Sequence, residues 1–126
     1  MPKSQITNSK PQYDLKKRIL TFVLAIIQLV RKLPRDSVNI VFINQIIRSA
    51  TSIGANYEEA DGSRSKKEFI SIMGIIRKEA KETKYWLRLI RLSNKKEFYN
   101  EVDRLGIENE ELIKIFAKII INSREE

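Results

Sequence analysis

The chain has 126 residues, enough for one domain with its own core and too few for two ordinary ones. Its 42% hydrophobic and 32% charged content, with four glycines and three prolines, fits a helical soluble protein rather than a disordered or β-rich one. Cysteine and histidine are absent, which excludes thiol nucleophiles, disulfides, the usual zinc sites and imidazole acid–base catalysis together.

The formal net charge of +8 is unevenly spread. Residues 1–36 carry eight basic and two acidic side chains, residues 37–96 twelve and six, and residues 97–126 four and eight. A basic chain with an acidic last segment admits two readings. The basic part attracts nucleic acid, or the acidic helix of one subunit lies near a basic surface of another.

Residues 1–12, with Pro2, Pro11 and mostly polar side chains, are expected to form a flexible leader, and residues 13–126 a single domain. No apolar run at the start resembles a signal peptide, and the longest apolar stretch, Phe22 to Ile27, is far short of a membrane span. The expected location is the cytoplasm, with no membrane partner. From Leu15, the residues Leu15, Ile19, Phe22, Ile26, Leu29 and Leu33 recur in steps of three and four and predict a first helix ended by Pro34. A second stripe, Leu20, Val23, Leu24, Ile27 and Val30, runs beside the first. A single small bundle covers one side of such a helix, so two stripes predict self-association.

Asp36 or Ser37 can cap a second helix, whose apolar members are Val41, Ile43, Ile46, Ile47, Ala50, Ile53 and Tyr57. Gly54 lies inside this pattern, where close helix packing would offset its cost of roughly 1 kcal/mol against alanine. The helix is expected to end near Asp61-Gly62, glycine taking the left-handed closing conformation most easily. Ser65-Lys66-Lys67-Glu68 then matches a capping box and opens a third helix. Its seam is Phe69, Met73, Ile76, Ala80, Thr83, Leu87 and Ile90, broadened by Ile72, Ile75, Trp86 and Leu89. A fourth helix is expected from about Asn94, with Phe98, Val102, Leu105, Asn109, Leu112, Phe116 and Ile119 inward. Its heptads stay in phase across Gly106, which argues for one continuous helix with Asn109 in the core, fixing register. Short links between the four helices predict an all-α, antiparallel up-down-up-down four-helix bundle.

Two sets of polar residues are candidates for function. Arg77, Lys81, Lys84, Arg88, Arg91 and Lys95 step by four and three along the third helix. They form either a cationic ridge for a phosphate backbone, with Tyr85 and Trp86 as stacking groups, or a solvated flank whose stems cover apolar surface. Glu58, Glu59, Asp61, Glu79 and Glu82 do not make a di-iron site, which needs Glu-x-x-His pairs. Glu59 and Glu82 are instead expected to pair with Arg48 and Arg64. Ser49, Ser52 and Ser63 have no histidine base, and no glycine-rich phosphate loop occurs. No cofactor or catalytic residue is indicated.

The chain also resembles the small bacterial four-helix bundle proteins known as 23S rRNA intervening-sequence or S23-type proteins. The residues that carry the resemblance are Gln45, Ile46, Arg48, Ala50, Ser52, Ile53, Asn56, Glu59, Ser65, Glu68 and Phe69. It departs from the family pattern at Ile47, where the pattern has an arginine, and at Ala60, where it has a glycine. Arg-Ser-x-Thr-Ser-Ile-Gly-Ala-Asn-Tyr and Lys-Glu-Ala-Lys-Glu-Thr-Lys-Tyr-Trp-Leu look like one subgroup of that family, and similarity extends roughly from Tyr13 to Ile121. The resemblance implies a homopentameric bundle with no catalytic residue to carry over. A related group, the accessory proteins of diversity-generating retroelements, shares the pentamer and binds a reverse transcriptase and nucleic acid.

Two functional readings lead. One is a non-enzymatic, self-associating scaffold that binds RNA, DNA or a nucleic-acid-processing protein through Arg77, Lys81, Lys84, Arg88 and Arg91. The other is a purely structural or protein-interaction homo-oligomer, in which Gln45, Arg48, Asn56, Glu59, Arg64 and Glu82 form a structural polar motif. An enzyme of unknown reaction is the third.

Overall fold

The computed structural model describes residues 11–125, with side chains from Leu15 onward. Four helices account for nearly all of it: α1 (Pro11–Lys32), α2 (Ser37–Asp61), α3 (Lys66–Ser93) and α4 (Tyr99–Glu125), with a 3-10 turn at Lys96–Phe98 before α4. Pro11 and Gln12 belong to α1 rather than to a leader, because proline is tolerated in a first helical turn whose N–H groups lack partners anyway. The rest of the expected leader lies outside the described residues.

Cross-helix pairs establish the topology. Lys16 meets Glu58 and Arg18 meets Glu108 near one end of α1, whereas Lys32 meets Glu101 near the other. On α3, Thr83 meets Ser49 of α2, and Arg91 and Lys84 meet Asp103 and Glu110 of α4. Residue numbers rise along one partner as they fall along the other, so neighbouring helices are antiparallel and the bundle runs up-down-up-down.

Local chemistry sets the ends. Asp36 Oδ1 accepts from the N–H groups of Val38 and Asn39 at 3.1 and 2.7 Å, capping α2. The Arg35 guanidinium donates to the Val30 carbonyl at 2.8 Å, placing a cation where the α1 carbonyls are exposed. Ser65 Oγ accepts from Glu68 N–H at 3.0 Å, while the Glu68 carboxylate accepts from Arg64 N–H at 2.7 Å, one residue before the serine. Gly62 closes α2 at φ −103°, not in the left-handed region, with its N–H on the Glu59 carbonyl at 3.1 Å. Asn94 ends α3 instead of opening α4, because the extended backbone of Asn94 and Lys95 separates the two helices.

The core follows the predicted seams, with three corrections. Leu15, Ile19, Phe22, Ile26, Leu29 and Leu33 of α1 are buried, and so are Val23 and Val30 of its second stripe. Only Leu20 and Leu24 of that stripe stay outside, because α2 and α4 together cover more of α1 than one flank. Val41 is exposed, lying beyond the reach of α1 and α3, and Ile120 replaces Ile119 as the last buried residue of α4. Gly54 faces Ile19 and Val23 of α1, but a Cβ there would sit at 3.8 and 3.9 Å, in ordinary contact. Close packing within the chain therefore does not require this glycine. Helix α4 is continuous through Gly106 and Asn109, as its heptad phase predicts.

Polar pairs thread the core. Asn39 and Asn94 exchange reciprocal amide hydrogen bonds of 2.9 and 3.0 Å, and Ser49 and Thr83 share one of 2.7 Å. These pairs satisfy groups that burial would otherwise penalise. They also pin the register of α2 against α3.

Candidate functional site

Two surfaces hold the candidate residues, one on each flank of α3. On the α2 side, Arg48 reaches Glu79 at 3.4 Å, pairs with Glu82, and donates to Gln45 Oε1 at 3.1 Å. Trp86 Nε1 donates to the same Glu82 oxygen at 2.9 Å. The indole ring lies 6.3 Å from Phe42 and 5.1 Å from Tyr85, centroid to centroid, distances at which aromatic pairs attract. Gln45, Arg48 and Glu82 of the polar motif thus converge, held by the antiparallel register of α2 and α3.

The other three members of the motif do not join them. Asn56 Nδ2 bonds the Ser52 carbonyl of its own helix at 2.8 Å. Glu59 and Arg64 are exposed, and the ion pair expected between the Glu59–Glu82 and Arg48–Arg64 sets forms only as Arg48–Glu82. The reason is distance: Glu59 sits eleven residues, or about 16 Å, along α2 from Arg48, and Arg64 lies in the turn beyond the helix. Arg64 lines a surface hollow of about 530 Å³ with Ser63, Ser65, Lys66 and Phe69 at the start of α3 and Ile119, Asn122 and Ser123 of α4.

The basic stripe occupies the α4 flank of α3, and α4 neutralises part of it. Arg91 makes a two-pronged contact with Asp103, Nε to Oδ1 at 2.7 Å and Nη2 to Oδ2 at 3.2 Å, and its guanidinium lies 4.0 Å over the Tyr99 ring. This hydrogen bond, more than the charges themselves, holds the Asp103 carboxyl below the usual carboxylate range and raises Arg91. Lys84 meets Glu110 at 3.0 Å. Arg77 is half-buried with its Nε enclosed. Lys81 and Arg88 are exposed and form no ion pair among the described residues. Carboxylates of α4 therefore take up Lys84 and Arg91, while Lys81, Arg88 and Lys95 stay exposed and without an ion pair among the described residues. Trp86, expected as a stacking group beside the ridge, is on the opposite flank with its N–H engaged.

Between α3 and α4 runs a groove of about 630 Å³, with buried Leu87 and Val102 at its floor and exposed Ile107, Arg88 and Lys114 along its borders. Four of the five carboxylates considered as a cluster are divided between two cations: Glu58 and Asp61 lie 3.1 and 4.0 Å from Lys16, while Glu79 and Glu82 face Arg48. Among the described residues no group of three or more carboxylates is placed to hold a metal ion. No described helix is long and apolar enough to cross a membrane.

Sequence reasoning missed the ion pairs that α4 carboxylates make with Arg18, Lys32, Lys84 and Arg91, the Lys16–Glu58 pair and the Asn39–Asn94 amides. Asn39 carried a usable signal, since it precedes Ile43, Ile46, Ala50, Ile53 and Tyr57 in steps of four and three on the core row.

A family model described as 23S rRNA-intervening sequence protein matches residues 12–118, which takes in the first three helices and most of α4. The chain belongs to that family. A solved structure from Bacteroides thetaiotaomicron VPI-5482, described as a protein with unknown function from the S23 ribosomal protein family, is similar in fold and sequence. It is 34% identical, with a TM-score of 0.74, over 83% of this chain and 96% of that one. No curated protein matches. Both the Arg48–Glu82 cluster and the α3 stripe of this 23S rRNA-intervening sequence family member lie inside the matched span.

Proposed function

We propose that the chain is a non-enzymatic, self-associating cytoplasmic scaffold whose assembled copies bind nucleic acid, or a protein that processes it, through the outer edge of α3. One observation carries the self-association: Leu20 and Leu24 on α1, and Ile75 and Tyr85 on α3, are 58, 51, 43 and 55% exposed. Leu20 and Leu24 stand one turn apart on α1, and large apolar side chains adjacent outside the core are the usual mark of a contact surface. The family resemblance sets the expected copy number at five, and light scattering counts it. A monomer at micromolar concentration removes this part of the reading.

The polyanion part is supported by Lys81 and Arg88, exposed cations without carboxylate partners, and by Lys114 across the groove from Arg88. Four carboxylates of acidic α4, Glu101, Asp103, Glu108 and Glu110, pair within the chain, so they are not free to repel a phosphate backbone at full strength. The expected result is RNA or DNA binding that weakens steeply with salt. Changing both Lys81 and Arg88 to glutamine reduces affinity and flattens the salt slope by about two. Absence of binding at low ionic strength favours the alternative, a structural or protein-interaction oligomer.

A further inference from the structure

The acidic last segment is acidic only in its first half. Residues 97–111 hold six carboxylates and one cation, whereas residues 112–124 hold Lys114, Lys118 and Arg124 and no carboxylate. The register of α3 against α4 gives this division a place. Glu110 meets Lys84 and Asp103 meets Arg91, so the carboxylates face the second half of α3. Asn109 reaches Ala80 and the two helices are antiparallel, so α3 from Arg77 back to its start lies level with the carboxylate-free half of α4.

Cations at this end have nothing to neutralise them. Arg77 is half-buried with its Nε enclosed and unpartnered, and Arg64, Lys66, Lys81 and Lys114 are exposed. None of the five forms an ion pair among the described residues. Glu68, the one carboxylate between Lys66 and Arg77, accepts from the Arg64 N–H at 2.7 Å. Lys114 borders the α3–α4 groove, and Arg64 and Lys66 line the hollow of about 530 Å³ between the start of α3 and the end of α4. Half-buried Phe69 and Ile119 are the apolar part of that hollow, whose volume falls within the roughly 300–1,000 Å³ usual for small-molecule sites. From Lys66 to Lys81 the distance along α3 is about 22 Å.

We infer that this end of the α3–α4 seam holds a single strand of nucleic acid, with phosphates along Arg77, Lys81 and Lys114 and one base in the hollow against Phe69. This rests on the nucleic-acid reading above and names the form of the ligand. Unpaired bases stack on aromatic side chains while cations track the backbone; a duplex keeps its bases inside and has none to place in the hollow.

Fluorescence anisotropy with a labelled short polyuridine RNA, alone and annealed to polyadenosine RNA, tests it. Wild type is expected to bind the single strand more tightly than the duplex. Arg64→Gln, Lys81→Gln and Lys114→Gln together are expected to weaken single-strand binding about tenfold and to flatten the salt slope by about two. A second triple variant, Lys17→Gln, Arg31→Gln and Lys96→Gln, removes the same formal charge from exposed positions elsewhere. Screening limits its effect to less than about threefold. Phe69→Leu is expected to lower single-strand affinity by about fivefold or more and to leave duplex affinity unchanged. Circular dichroism checks that each variant keeps wild-type helicity, and Phe69→Met replaces Phe69→Leu if helicity falls. Equal losses for the two triple variants, tighter binding of the duplex, or an unchanged single-strand affinity in Phe69→Leu each overturn the inference and leave the nucleic-acid reading standing. A wild type that binds neither form at low ionic strength, as RNA or as the matching DNA, rejects both.

Discussion

Asn109 of α4 donates from Nδ2 to the Ala80 carbonyl of α3 at 2.9 Å, while its own Oδ1 is buried with no hydrogen-bond partner. The Ala80 carbonyl also lies within the helical ladder of α3, so the amide adds a cross-helix contact to a group already in use. An unpaired buried acceptor costs about 1–3 kcal/mol, more than one such hydrogen bond returns. Asn109 thus holds the α3–α4 register at a cost in stability.

Asn109→Leu, which keeps asparagine's branching at Cγ and replaces the amide oxygen and nitrogen with methyl groups, is expected to raise stability by about 1 kcal/mol. Urea unfolding followed by circular dichroism measures it. A loss of stability shows that the amide contributes more than its unpaired oxygen costs.

Gly54→Ala is expected to stabilise the fold by about 0.5–1 kcal/mol, since alanine favours the helix and its methyl meets Ile19 and Val23 without overlap. A lowered thermal midpoint contradicts this and identifies α1 as packed too tightly over α2 for a methyl.

Ile120 and Ile121 test where the α4 seam runs. Ile120 is 8% exposed and its neighbour 54%. Ile120→Ala is expected to cost about 2–3 kcal/mol, and Ile121→Ala less than about 0.5 kcal/mol. Equal costs by denaturant titration place the inward row elsewhere.

Glu82 accepts from the Trp86 indole as well as from Arg48. Glu82→Leu leaves a half-buried N–H unpaired and is expected to cost about 1–2 kcal/mol. Glu82→Gln keeps an acceptor and costs less, and the Trp86 fluorescence of this single-tryptophan chain stays closer to wild type. Identical losses for the two variants remove the indole contact as the cause.

Asp103 ionises more readily folded than unfolded, because Arg91 stabilises its charged form below the ordinary value of 3.8. Its contribution is therefore in place above pH 3.8 and disappears as the pH falls below that, through the folded value. Asp103→Asn is expected to be less stable than wild type at pH 7 and to approach it at the acid end. A constant difference between the two across an acid titration rules out linkage through this carboxylate.

Most of the fold is legible along the chain because its causes are local. The α3 seam from Met73 to Ile90 and the caps at Asp36 and Ser65 depend on residues a turn or less apart, and the structure keeps them. The second stripe of α1 is different. Val23 and Val30 go inward and Leu20 and Leu24 do not, a division that depends on how far α2 and α4 wrap around the helix. The candidate site divides in the same way. Arg48–Glu82 was readable as two groups needing partners, whereas the pairing of Lys84 with Glu110 and Arg91 with Asp103 depends on which flank of α3 receives α4.

The sequence by itself determines four helices, their order, their caps and the rows that face inward, since helical periodicity and capping act over a few residues. Tertiary structure decides which carboxylate meets which cation, which members of the α1 stripe remain outside, and that Asn56 and Glu59 do not join Arg48 and Glu82. Those outcomes depend on helix register and rotation, set by the packing of all four helices together. The basic stripe of α3 shows the consequence: periodic in sequence, it is interrupted in space by the carboxylates of α4.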